Sequence, residues 1–96
     1  KSFQLQRTVE WEHKRIPVVK REFDFLYSVS NYAGKIYTYS QIYPGMAGVP
    51  TWDITNIIYC MVHRLKQKLK KVDVNAEHII SSVKEVGYCL KVYKES

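Results

Sequence analysis

From about Ile54 to Lys71 the chain repeats its apolar residues at helical spacing, and this segment limits the possible folds more than any other. At about 100° per residue, Ile54, Ile58, Met61, Val62, Leu65, Leu69 and Val72 share one side, while Asn56, Tyr59, Cys60, His63, Gln67 and Lys70 fall opposite. A helix with a single apolar face gains its stability by burying that face against other parts of the chain. The opposite face is polar and basic. Between His63 and Lys71 the chain carries Arg64, Lys66, Lys68, Lys70 and Lys71 with no acid among them. Such a stripe attracts polyanions by counterion release, although many basic helix faces are simply solvated.

The rest of the chain must supply the cover for that helix. Its 96 residues suffice for one domain, 1–96, with one modest core, and 46% apolar against 25% charged residues is the balance of a folding chain rather than a disordered one. The formal net charge is +6. The longest apolar run, Ile57 to Val62, is too short to cross a bilayer, and Lys1 opens a polar segment unlike a signal peptide. Two cysteines, Cys60 and Cys89, are too few for a disulfide framework and fit a reducing compartment, so a cytoplasmic location is expected.

Upstream, Val9 and Trp11 alternate with polar neighbours, and Glu12 to Arg15 reads as a polar turn before Ile16, so a hairpin is expected, with Phe3 and Leu5 in a preceding strand. Phe23, Leu26, Tyr27 and Ser30 then predict a first helix from about Lys20 to Tyr32, stopped at Gly34. Ile36 and Tyr37 form a short extended link. Thr38 and Gln41 have the spacing of a capping box, so a second helix starts there, and Pro44 with Gly45 ends it early or distorts it. Beyond the long helix, Ile79 to Val83 and then Tyr88, Leu90 and Val92 predict a C-terminal hairpin, with Gly87 in its polar turn.

These stretches resemble, in order and spacing, the C-terminal effector domain of bacterial OmpR/PhoB-type response regulators. Ile16-Pro17-Val18 followed by Arg21-Glu22-Phe23-Asp24-Phe25-Leu26 is similar to the approach to that family's first helix, and Thr38 to Ile42 to the start of its second. Asn56 to Leu69, with Arg64-Leu65-Lys66 and Lys68-Leu69, resembles the recognition helix, and Ser82-Val83-Lys84 with Val86-Gly87-Tyr88 resembles the wing. The resemblance covers about 77 residues, Ile16 to Val92. It implies an α+β fold: a winged helix-turn-helix with an N-terminal antiparallel sheet, three helices and a C-terminal β-hairpin wing. It also implies sequence-specific binding of double-stranded DNA for transcription regulation, as the output domain of a two-component phosphorelay.

Under that resemblance, Arg64 is the foremost candidate for a base or near-base phosphate contact, because its planar fork matches the two acceptors of guanine. Asn56, Tyr59, Cys60, His63 and Gln67 share its surface, while Lys66 and Lys70 are expected on phosphates. On the wing, Lys84 stands where the family carries a minor-groove cation, and Ser82 is placed to donate to a phosphate. The chain also departs from the family pattern. Val19 replaces a capping threonine, Ala47 stands before Gly48 where tryptophan is frequent, Ile57 and Met61 make the helix start more apolar, and Glu85 holds a wing-turn position often given to glycine.

Enzymatic and metal chemistry are not expected. Cys60, His63, His78 and Cys89 form no close second pair, Cys60 and His63 have no orienting acid, and no glycine-rich phosphate loop is present. Neither metal nor cofactor is anticipated. Eight tyrosines and two tryptophans could suggest base stacking on single strands, but most fall at core-like spacings, and Trp52 in the loop before the long helix is the chief exception. In the family that loop is associated with RNA polymerase, so the alternative is a winged-helix module that docks on polymerase or another regulator through Trp52 without tight DNA binding. Family members usually carry an N-terminal receiver domain that governs dimerisation. This chain is expected to be an excised fragment or a standalone effector, monomeric in solution and able to line up on tandem half-sites.

Overall fold

The computed structural model describes residues 3–5, 8–45 and 53–91. Among them, three short strands open the chain: β1 (Phe3–Leu5), β2 (Val9–Trp11) and β3 (Lys14–Ile16), paired antiparallel in the order β1-β2-β3. Val9 pairs with Ile16 and Trp11 with Lys14, so the hairpin turn is only Glu12-His13, and Lys14 and Arg15 belong to the strand rather than to the expected turn. Both turn residues have positive φ, 51° and 65°. That geometry matches the twist of the hairpin and usually selects Asn-Gly, which is why Glu-His gave no signal for it. Phe3, Leu5, Val9, Trp11 and Ile16 all point to one buried side.

Helix α1 (Lys20–Val29) follows, three residues shorter at its C-terminus than its periodicity suggests. Its buried side carries Glu22, Phe25, Leu26 and Val29, whereas Tyr27, expected on the apolar face, is 56% exposed. The reason is Glu22. This buried carboxylate accepts the Val19 N–H at 2.9 Å and the Lys68 ammonium at 2.6 Å, so a charged position can turn inward and rotate the helix about that axis. Val19 itself has no side-chain acceptor to offer the first turn.

Strand β4 (Ile36–Thr38) runs directly into α2 (Tyr39–Ile42), and the Thr38–Gln41 capping box forms: Gln41 N–H donates to Thr38 Oγ1 at 3.4 Å and Thr38 N–H to Gln41 Oε1 at 2.9 Å. The helix gives way to a 3₁₀ turn at Tyr43–Gly45, as Pro44 requires. Helix α3 (Ile54–Val72) buries Ile58, Met61, Val62, Leu65 and Leu69, in the phase its sequence prescribes. Each fully buried aliphatic side chain of this face contributes about 1.5–3 kcal/mol. The helix packs on α1, β3 and the 3₁₀ turn Ala76–Ile79. Asp73 ends the helix and ties it to the N-terminal sheet: its carboxylate accepts Trp11 Nε1–H and Asn75 N–H, each at 3.0 Å.

Strands β5 (Ile80–Val83) and β6 (Gly87–Leu90) form the C-terminal hairpin around Lys84–Val86, where Glu85 has φ 63°. The expected alternation along β6 is absent, because all four of its residues are buried. Ile36-Tyr37, read as a link, is instead a strand. It pairs with β6 to give the sheet order β4-β6-β5, so β6 is hydrogen-bonded along both edges, and packing buries the side chains of both its faces, Cys89 included. Val92 lies outside the described residues.

Candidate nucleic-acid interface

Burying Ile58, Leu65 and Leu69 orients everything else on α3. Asn56, Tyr59, Cys60, His63, Arg64, Gln67 and Lys70 are exposed, and Asn56, Cys60, His63 and Gln67 form the crest of the solvent face. Across this crest Cys60 Sγ–H makes a long contact of 4.0 Å to Asn56 Oδ1. Met61 is buried in the core and Ile57 packs partly against it, and both also line the cleft on the Arg64 side.

A cleft lies along each flank of the crest. On one side Tyr59, His63 and Lys66 of α3 face Ser82 and Lys84 of the hairpin across about 380 Å³. Tyr88 forms part of the wall of this cleft. Burial pushes its phenol up to about 12, helped by the neighbouring Tyr39 and Tyr59, so it remains neutral at physiological pH. Its ring meets Phe25 and Tyr39 edge-on at 5.5 and 6.0 Å, which anchors the hairpin to α1 and α2. Glu85 is the acid of this cleft. On the other flank Asn56, Cys60 and Arg64 face Val19 and Arg21 of the α1 start across about 390 Å³. Gln67 and Lys70 stand a turn further along α3.

Tyr59, Cys60, His63 and Arg64 share a shallow hollow of about 260 Å³ over the crest, and each flanking cleft adds further expected residues to them. Ser82 and Lys84 join Tyr59, His63 and Lys66, whereas Asn56, Cys60 and Arg64 border a different cleft, with Arg21 as a neighbour that sequence reading did not single out. In the sequence Arg21 belongs to the approach to α1, and no local signal tells that α1 begins beside α3. Lys68 leaves the basic stripe, since Glu22 neutralises it. Tyr37, Tyr39, Tyr43 and Tyr88 are buried or half-buried, Tyr59 is exposed on the polar face of α3 as expected, and Tyr27 and Tyr32 are exposed as well. Trp52, Ala47 and Gly48 lie outside the described residues. No helix among the described residues is long and apolar enough to cross a membrane.

Comparison with known proteins adds a family match. The family model described as "Transcriptional regulatory protein, C terminal" matches residues 13–90. No curated protein sequence matches significantly. Solved structures share the fold. The Klebsiella pneumoniae RstA DNA-binding domain in complex with the RstA box superposes with a TM-score of 0.73 at 21% identity, covering 95% of each chain. The response regulator AdeR DNA-binding domain in complex with an intercistronic region gives 0.73 at 16% identity, over 95% of this chain and 94% of that one. The C-terminal domain of the nisin resistance regulator NsrR gives 0.73 at 17%, over 94% and 91%.

Proposed function

This chain belongs to the transcriptional regulatory protein C-terminal family, and from that membership we propose that it binds double-stranded DNA with the polar face of α3 in the major groove and the β5–β6 hairpin over the adjoining backbone. The observation that carries this reading is the crest of α3. Its exposed hydrogen-bonding side chains sit on a rigid helix whose opposite face is locked in the core, with cations on both flanks. A major groove about 12 Å wide admits such a helix. Structural neighbours at 21% and 16% identity were captured on DNA, which supports the same use of this fold here.

In this reading Arg64 reaches a base edge or the phosphate beside it, and Asn56, Tyr59, Cys60, His63 and Gln67 complete the readout surface. Lys66 and Lys70 hold phosphates, Ser82 donates to a phosphate beside the hairpin, and Lys84 approaches the minor groove. The domain acts in the cytoplasm as the output of a two-component regulator.

Equilibrium titration against selected and random duplexes at several salt concentrations tests the reading. Four to six neutralised phosphates give a slope of log affinity on log salt of roughly −4 to −5, and a slope near zero refutes DNA as the partner. Arg64→Ala is expected to cost about 1–3 kcal/mol on the selected site and much less on random duplex. Lys84→Ala is expected to weaken both alike and to reduce the slope by about one.

A further inference from the structure

We propose that Arg21, at the start of α1, is a second backbone-phosphate contact, on the flank of α3 opposite the hairpin; the inference rests on the DNA-binding reading. Around the axis of α3, at about 100° per residue, the crest through Gln67 has Tyr59 and Lys66 roughly 80–100° to one side and Arg64 and Ile57 roughly 60–80° to the other. The two clefts therefore lie at comparable angles on either side of the crest. A helix about 10–12 Å across, entering a groove about 12 Å wide crest first, has a sugar–phosphate backbone along each flank. On the hairpin side Lys66 and Ser82 meet one backbone, with Lys84 at the minor groove beyond it. On the other side the exposed cations of the cleft are Arg64 and Arg21.

The charge of that second cleft is positive despite the carboxylate in its lining. Glu22 is 2% exposed and its charge is matched by Lys68 at 2.6 Å, which leaves the two arginines to set the sign. Lys20, the neighbouring cation, is paired with Asp24 at 3.0 Å. Arg21 is also well placed rather than merely charged. The first turn of α1 is held to α3 by the Glu22–Lys68 pair, and Phe25 and Leu26 bury the next turn in the core, so the arginine stem starts from a fixed position beside Arg64. Its fork suits a phosphate oxygen pair. Contacts of this kind orient the helix in the groove and carry no sequence information.

The test compares the parent domain with Arg21→Ala, Arg21→Gln, Arg21→Lys and Arg15→Ala, the last removing an equal charge from exposed β3. Each is titrated with a fluorescent selected duplex and a random duplex across a salt series, with thermal melting to confirm folding. Arg21→Ala and Arg21→Gln are expected to weaken both duplexes several-fold to the same degree and to make the salt slope shallower by about one. Arg21→Lys restores the slope, and Arg15→Ala leaves it at the parent value. Duplexes with single neutral methylphosphonates then locate the contact: one position that weakens the parent has no further effect on Arg21→Gln. A parent slope retained in Arg21→Gln, or the absence of any such masked position, overturns the proposal while leaving DNA binding intact. A parent that fails to bind duplex at low salt overturns the DNA reading itself and this inference with it.

Discussion

Replacing Gly87 with alanine is expected to loosen the junction between the hairpin and the helices. Gly87 lies in central β6 opposite Thr38, and a Cβ there would sit 1.9 Å from the Tyr37 carbonyl oxygen, 2.8 Å from its carbon and 2.9 Å from the Thr38 Cα. Real Cβ contacts essentially never fall below 3.0 Å, so the strands must part by about 1 Å, and the obstacle is backbone rather than a flexible side-chain end. Overpacking of this kind costs about 1–3 kcal/mol, and each β4–β6 hydrogen bond lost adds about 1 kcal/mol net. A total of about 2–4 kcal/mol corresponds to a fall in Tm of roughly 10–30 °C for a domain of this size, read by circular dichroism. Because β4 continues directly into α2, duplex affinity should fall with it. Gly34 is the comparison: it has φ 82° but open space around the added atom, so Gly34→Ala bears only the conformational cost of about 1–2 kcal/mol. A Gly87→Ala domain melting within about 4 °C of the parent, or above Gly34→Ala, would refute the steric argument.

Lys68→Ala strips the partner from a buried carboxylate and is expected to destabilise by about 2–4 kcal/mol, somewhat below a fully buried pair because Lys68 is partly exposed; Glu22→Gln with Lys68→Ala should recover part of the loss in a double-mutant cycle. Glu85→Gly relieves a non-glycine residue at φ 63° and should raise stability by about 0.5–1 kcal/mol, while duplex affinity rises because the cleft loses its acid. Tyr88 favours its protonated form in the fold, so its contribution is complete below about pH 10, the unfolded value, and is lost as pH rises towards about 12. Tyr88→Phe should therefore flatten the alkaline decline in Tm between those limits, and an unchanged decline would assign it to other groups.

Several features of this molecule could be read from neighbouring residues alone. The phase of α3 follows from its own apolar repeat, since Ile58, Leu65 and Leu69 have one face on which to be buried, and that choice exposes Asn56, Cys60, His63 and Gln67 without further information. The Thr38–Gln41 cap and the early end of α2 at Pro44 are likewise local chemistry. What depended on the tertiary structure involves partners far apart in the chain. Ile36-Tyr37 becomes a strand only because β6 lies beside it, and β6 loses its alternation because residues remote in sequence cover it, Phe25 and Tyr39 meeting the Tyr88 ring. Glu22 turns inward onto both the local Val19 N–H and Lys68, 46 residues later, and Tyr27 is left at the surface. The same packing carries Arg21 to the side of Arg64, so the composition of the second cleft was set by how α1 docks on α3. Periodicity reports which face of an element is buried; which charges meet across the resulting surface is decided by the docking of elements whose separation in sequence leaves no local trace.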